Sequence, residues 1–259
     1  MPYTKRKFPH FVWKLPLQVE FIQITFKIAT FIYNLIPTMN KGILRMVEDK
    51  DIRKTGTTTV AIVCKGGVVL CADKRVTSGY LVSYKKYEKI IQITDNIAVT
   101  VAGTVSDVQL LTKLLRAELK LKDLKTNRTV TVKEAVNLLS SMVYNNIRKY
   151  SVIPGISHFL VGGNDNDGVH VYDIGADGSV THIDEYTSSG SGSVMAYGVL
   201  ETLYEPGLSM GEGITLGAKA INAAVQRDIA SGNGIDIVSI TDSGVKKVLS
   251  KTINIKIEA

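Results

Sequence analysis

A glycine followed by a run of threonines lies well inside the chain, at Gly56-Thr57-Thr58-Thr59. A threonine hydroxyl is a weak nucleophile at neutral pH, and no His-plus-acid arrangement is evident in the sequence to activate it. Cleavage before Thr57 would place a free α-amine, with a pKa of roughly 7.7–8, on the residue that carries the hydroxyl. Nucleophile and general base would then share one residue, a variant of the Ser-His-Asp triad. Gly56 suits such a cut because it has no Cβ to shield its carbonyl. Gly-Thr pairs also begin ordinary strands, so the rest of the chain must decide.

Three residues further along have the types and positions to support that chemistry. Asp73 ends the strand-like run that turns back from the strand of Thr57, and Lys89 begins the next strong strand. A cation near the α-amine lowers the pKa of the amine, and an acid must hold that cation in a partly buried pocket. Gly103 ends the strand paired with that of Lys89, and its backbone N–H is a candidate donor to an oxyanion. Each residue alone is typical of a strand end; the combination favours catalysis.

The elements that must position these residues follow from turn, cap and periodicity signals. Strands are predicted over 58–64, 68–72, 89–93, 97–102, 158–161, 169–174, 180–186, 235–241 and 245–249. Helices are predicted after a cap at Thr104 or Ser106, from the capping box Thr131–Glu134 to about Tyr150, and over 194–203 and 209–229. The serine- and glycine-rich segment 188–193 is interpreted as a connection. Two antiparallel sheets face to face, with helices on both outer sides, would bury every apolar stripe, which predicts an α+β, four-layer αββα sandwich.

Composition narrows the class of protein. The chain has 259 residues, of which 45% are hydrophobic, enough for one domain with a full core. The net charge is +7, but basic and acidic residues are interspersed and no DNA- or RNA-binding module is recognisable, so nucleic acid is not an expected partner. Cys64 and Cys71 have no metal-ligand neighbours and are interpreted as buried thiols in a reducing compartment. The sequence therefore predicts no metal, no cofactor and a cytoplasmic location.

The composition changes near residue 38. Five of the six phenylalanines and the only tryptophan precede that point. The apolar stretch 15–36 is interrupted by Glu20 and Lys27, and a charge at mid-bilayer costs about 2.5–3.5 kcal/mol, so no membrane span is predicted. Two interpretations remain open: residues 1–56 are a leader removed on maturation, or translation begins at Met39 or Met46. The second is slightly favoured because the stretch from Met46 already makes a short polar pro-segment.

From Thr57 to the C terminus the sequence closely resembles β subunits of the archaeal-type 20S proteasome, which are threonine peptidases of the N-terminal nucleophile hydrolase superfamily. The resemblance is carried by short motifs at Gly56-Thr57-Thr58-Thr59-Val60, Ala72-Asp73-Lys74-Arg75-Val76-Thr77, Tyr87-Glu88-Lys89-Ile90, Val101-Ala102-Gly103, Gly190-Ser191-Gly192-Ser193 and Gln226-Arg227-Asp228-Ile229-Ala230-Ser231-Gly232. The last two motifs are highly specific when found in this order. The aromatic N-terminal stretch is not typical of the family.

The resemblance implies a role for each matching position. Thr57 is expected to be the nucleophile, Asp73 and Lys89 the supporting charge pair, and Gly103 the oxyanion donor. The remaining assignments form three groups: an orienting network for the new N terminus, with Arg75 as its structural partner; a backbone position that aligns bound peptide; and an apolar pocket beside the scissile bond. The orienting network comprises Ser191, Asp228 and Ser231, and the aligning position is Thr77. The apolar pocket comprises Val76, Tyr87, Ile91, Val101 and Val105.

The resemblance also implies the assembly. A peptidase domain over 57–259 is expected to form a heptameric ring with other β subunits, stacked between rings of α subunits and fed with unfolded proteins by an ATP-dependent unfoldase. The alternative is a β-type subunit that builds the ring without cutting. Such subunits typically lack the Gly-Thr junction or the supporting lysine, and this chain keeps both.

Overall fold

Two five-stranded antiparallel sheets, a two-stranded hairpin and four helices make up the part of the chain that the computed structural model describes, residues 56–152 and 154–253. The strands are β1 (Thr58–Cys64), β2 (Gly67–Asp73), β3 (Val76–Ser78), β4 (Leu81–Tyr84), β5 (Ile90–Gln92), β6 (Ile97–Gly103), β7 (Ser157–Asp165), β8 (Gly168–Ile174), β9 (Val180–Ile183), β10 (Tyr186–Gly190), β11 (Gly234–Thr241) and β12 (Gly244–Thr252). The helices are α1 (Val105–Thr126), α2 (Val132–Arg148), α3 (Ser193–Leu203) and α4 (Met210–Arg227). Residues 1–55, with the predicted leader and the two candidate start codons, lie outside the described residues.

The first sheet has the strand order β10-β1-β2-β11-β12 and carries α3 and α4 on its outer face. Alternate residues of β1 point to opposite sides: Val60 and Ile62 join the core under these helices, whereas Ala61 faces the second sheet. Because both faces are covered, β1 and β2 read as nearly continuous apolar runs.

The second sheet has the order β5-β6-β7-β8-β9 and is covered by α1 and α2. The predicted stripe of α1 is buried against it at Val108, Leu111, Leu115 and Leu119. In α2 the predicted Ala135 and Leu139 are buried together with Val132, Val136 and Val143, while Leu138 and Met142 are only partly covered. The predicted capping box of Thr131 and Glu134 is confirmed.

A third apolar cluster lies between the two sheets and includes Leu70, Leu160, Val171, Val238 and Ile240. The order of layers is therefore helix, sheet, sheet, helix. This is the predicted αββα sandwich, the fold of N-terminal nucleophile hydrolases. In residues 56–152 and 154–253 no helix is long and apolar enough to cross a membrane.

Two local predictions were wrong. The segment 180–186 is not one strand: the chain bends at Asp184 and Glu185, so that β9 ends in the second sheet and β10 begins in the first. Strand β10 then continues to Gly190, because its backbone pairs with β1 through the segment interpreted as a connection. The hairpin of β3 and β4 was not predicted, since its strands are three and four residues long and too short to show a period.

Candidate active site

Thr57 lies directly before β1, buried at 6% exposure. Its hydroxyl donates to the carbonyl oxygen of Gly56 at 2.7 Å, and its backbone N–H donates to Ser191 Oγ at 3.3 Å. The N–H of Gly56 donates to Thr77 Oγ1 at 3.1 Å. The hydroxyl of Thr57 thus lies beside the peptide bond that joins it to Gly56. Both residues are held by side chains from elsewhere in the chain, Thr77 in β3 and Ser191 in the turn after β10.

Asp73 ends β2, and the pairing of β2 with β1 returns it to the start of β1 as predicted. Its carboxylate is fully buried and accepts four hydrogen bonds. Oδ1 accepts from the Thr58 N–H at 2.9 Å and from Lys89 Nζ at 2.7 Å, and Oδ2 accepts from the N–H groups of Arg75 and Gly232 at 2.9 and 3.0 Å. These four donors offset the desolvation of a buried carboxylate and fix its position.

Lys89 lies immediately before β5, and its carbonyl accepts from the N–H of Val101 in β6 at 2.9 Å. Its ammonium is 2% exposed and forms the predicted ion pair with Asp73. Burial lowers the pKa of Lys89, and the neighbouring carboxylate of Asp73 opposes that shift. Lys89 Nζ also donates to the carbonyl oxygen of Gly56 at 3.5 Å. The same oxygen therefore meets both the Thr57 hydroxyl and a buried cation.

A chain of hydroxyls connects the start of β1 to the end of α4. Ser191 Oγ donates to Asp228 Oδ2 at 2.7 Å, and Ser231 Oγ donates to the same oxygen at 2.6 Å. The Thr58 hydroxyl is 2.6 Å from that of Ser231 and acts as donor, because the hydrogen of Ser231 is used for Asp228. The three residues named for the orienting network therefore lie together on one side of Thr57.

Close backbone approach explains the glycines that flank Ser191. Gly190 has φ +95°, and a Cβ there would lie 2.0 Å from the carbonyl oxygen of Thr57. A Cβ on Gly192 would lie 2.0 Å from Thr58 Oγ1. Without side chains at these two positions, β10 can pair with β1 and bring Ser191 to the N–H of Thr57.

Arg75 ties the turn after β2 to the loop after α4. Its Nε donates to Asn233 Oδ1 at 2.8 Å, and its Nη1 donates to the carbonyl oxygen of Ile229 at 2.7 Å. This arrangement fits the structural role expected for Arg75.

Gly103 is the last residue of β6 and has φ +116°. A Cβ there would lie 2.3 Å from the carbonyl oxygen of Ile156, so only glycine fits this strand end. Within the described residues no hydrogen bond joins Gly103 to Thr57. Its role as oxyanion donor stays a prediction.

The predicted substrate-contacting residues fall into different environments. Thr77 in β3 already contacts Gly56, and Val76 beside it is buried. Val101 is 3% exposed and packs in the core under α1, whereas Val105 is half-buried at the start of that helix. A cavity of about 610 Å³ includes Tyr87 and Ile91 but none of these four side chains; its other lining residues are Lys86, Glu88, Ile90, Gln92, Ala98, Gln109, Thr112, Lys113, Arg116, Val238, Val245 and Lys247.

The comparison with known proteins decides the family. The family model described as "Proteasome subunit" matches residues 53–240. The chain belongs to the proteasome subunit family. It is 41% identical over 216 residues to the proteasome subunit beta of Methanoregula boonei, covering 80% of this chain and 100% of that protein. It is 41% identical to that of Ferroglobus placidus over 76% of this chain and 91% of the relative, and 38% identical to that of Archaeoglobus fulgidus over 77% and 91%.

Membership of the proteasome family supports a protease that assembles into rings with other proteasome subunits. The predicted site residues Thr57, Asp73, Lys89, Ser191 and the pair Asp228 and Ser231 all meet at one end of the sandwich, where β1 begins.

Sequence reasoning missed several residues of this proteasome-family site. They are the Thr58 hydroxyl, which contacts Ser231, the Gly232 N–H, which donates to Asp73, and the Ala230 methyl group, which lies against Gly56. Each belongs to a motif that carried the resemblance, so the signal was present, but only its conspicuous polar members were assigned roles.

A second polar cluster joins the two sheets near the site. His158 Nδ1 of β7 lies 2.9 Å from Ser189 Oγ of β10, and its Nε2 lies 2.5 Å from Asp173 Oδ1 of β8. Ser189 is 4% exposed and pairs with Thr59 in mid-strand, so this cluster serves to link the sheets at the strand that leads into Ser191.

The two cysteines are free and buried, as predicted. Burial raises the pKa of the Cys64 thiol to about 11 and shifts that of Cys71 in the same direction. Both thiols therefore stay protonated at neutral pH and fill core positions under α4. Within the described ranges no group of three or more His, Cys, Asp or Glu side chains is placed to hold a metal ion.

Proposed function

We propose that the chain is a catalytic β subunit of a 20S proteasome, a threonine endopeptidase with Thr57 as its nucleophile. The observation that carries the proposal is the position of the Thr57 hydroxyl, 2.7 Å from the carbonyl oxygen of Gly56, which also receives the ammonium of Lys89. A nucleophile, a scissile carbonyl and a cation held by a buried acid meet at one peptide bond.

The first reaction is removal of residues 1–56. Thr57 Oγ attacks the carbonyl carbon of Gly56, the C–N bond to Thr57 breaks, and the hydroxyl proton passes to the departing nitrogen. The product is an ester between Gly56 and the Thr57 side chain, with a free α-amine on Thr57. Water then hydrolyses the ester, leaving a carboxylate on Gly56. Lys89 stabilises the negative charge that forms on the Gly56 oxygen during the attack.

The second reaction is cleavage of protein substrates. The α-amine of Thr57 accepts the proton of its own hydroxyl, which attacks the substrate carbonyl and forms an acyl ester while the new amine leaves. Ser191, with Asp228 behind it, orients that amine, because its hydroxyl already contacts the nitrogen of Thr57. Ser231 and Asp228 complete the network, and the N–H of Gly103 is the proposed oxyanion donor.

The substrate and the assembly follow from the family. Unfolded polypeptides would align along Thr77, with Val76, Val101 and Val105 beside the residue that precedes the cut. Seven β subunits, rings of α subunits and an ATP-driven unfoldase would enclose the site in the cytoplasm. The enclosure has a physical purpose, since an unselective nucleophile is safe only where folded proteins cannot reach it.

Replacing the nucleophile tests this function with a neighbouring control. Thr57→Ala should abolish both removal of residues 1–56 and peptide hydrolysis while the particle still assembles with α subunits. The control is Thr59→Val, because the Thr59 hydroxyl is buried without a hydrogen-bond partner among the described residues. That variant should process and hydrolyse like the wild type. Full peptidase activity in Thr57→Ala particles would refute the assignment, and unprocessed, inactive wild-type particles would instead indicate a structural subunit.

A further inference from the structure

The backbone of Gly56 passes against the loop that follows α4. An ideal Cβ built on Gly56 would lie 1.7 Å from Ala230 Cβ, 2.9 Å from Ala230 Cα and 3.1 Å from Ser191 Oγ. The first distance is far shorter than any contact between carbon atoms. The position before Thr57 is therefore closed to any side chain while Ala230 stays in place.

Gly56 cannot move aside without disturbing the reacting atoms. Its N–H is bound to Thr77 Oγ1 at 3.1 Å, and its carbonyl oxygen lies between Thr57 Oγ1 and Lys89 Nζ, at 2.7 and 3.5 Å. A shift that makes room for a methyl group would carry the scissile carbonyl away from the Thr57 hydroxyl. A misplacement of about 1 Å costs on the order of 100-fold in rate.

Ala230 is held from the other side. Its N–H donates to Asp228 Oδ1 at 3.2 Å, and the other oxygen of Asp228 accepts from Ser191 and Ser231. Moving the loop would therefore disturb the network that contacts the nitrogen of Thr57. Neither Gly56 nor the loop of Ala230 can therefore shift without disturbing hydrogen bonds around Thr57.

We propose that Ala230 determines the specificity of self-cleavage: its methyl group restricts the residue before Thr57 to glycine. The inference rests on the proposed self-processing and names the positioning residue that selects its substrate. Ala230 touches the Cα of the residue before the cut and takes no part in bond making.

A compensating pair of substitutions tests this role. Gly56→Ala should slow removal of residues 1–56 roughly 100-fold. Adding Ala230→Gly removes the contact at 1.7 Å but leaves those to Ala230 Cα at 2.9 Å and Ser191 Oγ at 3.1 Å, so the double variant should recover a clear part, not all, of the lost rate. The matched control is Gly56→Ala with Ile229→Gly, which loosens the same loop at an exposed side chain without opening space at Gly56. It should remain as slow as Gly56→Ala.

Processing is followed by intact mass over time in particles assembled with α subunits, with size-exclusion profiles compared to show equal assembly. Gly56→Ser, with and without Ala230→Gly, repeats the test should one alanine pair fail to assemble. The inference is overturned if Gly56→Ala is processed at the wild-type rate, if Ala230→Gly gives no recovery, or if Ile229→Gly recovers as much. A wild-type chain that is itself never cut would overturn the proposed function, whereas a cut wild type without compensation overturns only the role of Ala230.

Discussion

At the scale of single residues, the site depends on how a buried charge is compensated. Asp73 accepts four hydrogen bonds, three of them from backbone N–H groups, and Lys89 supplies the fourth. The carboxylate of Asp73 therefore keeps three hydrogen-bond donors when Lys89 is replaced. Lys89 depends on Asp73 far more, since burial lowers its pKa and that carboxylate is its charged partner.

We expect Lys89→Met to reduce both self-processing and peptide hydrolysis by roughly 100- to 1,000-fold, because the oxygen of Gly56 loses its cation. Lys74→Met is the matched control. Lys74 also pairs with a fully buried carboxylate, that of Asp236, at 2.7 Å, but it does not contact Gly56. The angles at the Asp236 carboxylate do not suit a hydrogen bond, so the attraction between Lys74 and Asp236 is that of an ion pair alone.

Both variants break a buried ion pair and should lose stability. The loss should reach about 3–5 kcal/mol in Lys74→Met, because the carboxylate of Asp236 has no hydrogen-bond donor among the described residues, and it should be smaller in Lys89→Met, because Asp73 keeps three backbone donors. Only Lys89→Met should lose catalysis once the particle has assembled. Rates are compared per assembled particle with a peptide substrate, and processing is read by intact mass. Equal losses of rate in the two variants would mean that the Lys89 ion pair acts through folding alone.

At the scale of elements, much of the site was predictable from local signals. The hairpin of β1 and β2 returns Asp73 to Thr57, and the register follows from two apolar runs joined by a tight turn. The network residues could not be found that way. Ser191 lies 134 residues from Thr57 in the sequence, and the pairing of β10 with β1 that joins them crosses most of the chain. Only the family motifs indicated that contact.

The boundaries of β9 and β10 show the same limit. Apolar residues recur at Val180, Ile183 and Tyr186 without any turn signal between them, but the two strands belong to different sheets. Whether a chain continues straight or changes sheet depends on what covers each half, and a local pattern does not contain that information. Gly190 and Gly192 lie in the segment that was interpreted as a connection from the sequence, yet their lack of side chains permits close pairing with β1.

Helix α2 offers a prediction at this scale, in the carboxylate of Glu134. It accepts from the N–H of Thr131 at 3.1 Å and pairs with Arg128 at 2.6 Å and Lys122 at 2.8 Å. These donors hold the pKa of Glu134 well below its usual range. Glu134→Gln should therefore destabilise the chain by about 1 kcal/mol at neutral pH.

The effect depends on pH in one direction. The carboxyl of Glu134 is ionised more readily in the native state, so its stabilisation is complete above the unfolded pKa of roughly 4.3 and is lost as the pH falls towards the lowered native value. Urea unfolding of the unassembled chain should show the difference between wild type and Glu134→Gln shrinking below that pH. Glu118→Gln, at an exposed position of α1, should change little at either pH. A difference that grows on acidification would contradict the assignment.

At the scale of the whole molecule, the two sheets act as one body because a shared apolar layer joins them. Leu160 of β7 is fully buried in that layer and packs with residues of β2 and β11. The site is built from both sides of it: Thr57, Asp73 and Ser191 come with the first sheet, whereas Lys89 precedes the second. Packing between the sheets therefore sets the distance from Lys89 to Gly56.

Leu160→Ala should lower the free energy of unfolding by about 2–5 kcal/mol through the cavity it leaves between the sheets. It should also slow self-processing in particles that do assemble, since the second sheet carries Lys89. Leu124→Ala, at an exposed position of α1, is the control and should stay within about 0.5 kcal/mol. Urea denaturation of the unassembled chain measures both. A loss no larger than that of Leu124→Ala would mean that the sheets are not coupled through Leu160.

In the proposed mechanism, breaking the peptide bond before Thr57 creates the catalyst. Intact mass and N-terminal sequencing of the chain from active, fully assembled particles test it most directly. The chain from such particles should begin at Thr57 with a free α-amine. Active particles whose Thr57 is still joined to Gly56 would contradict it.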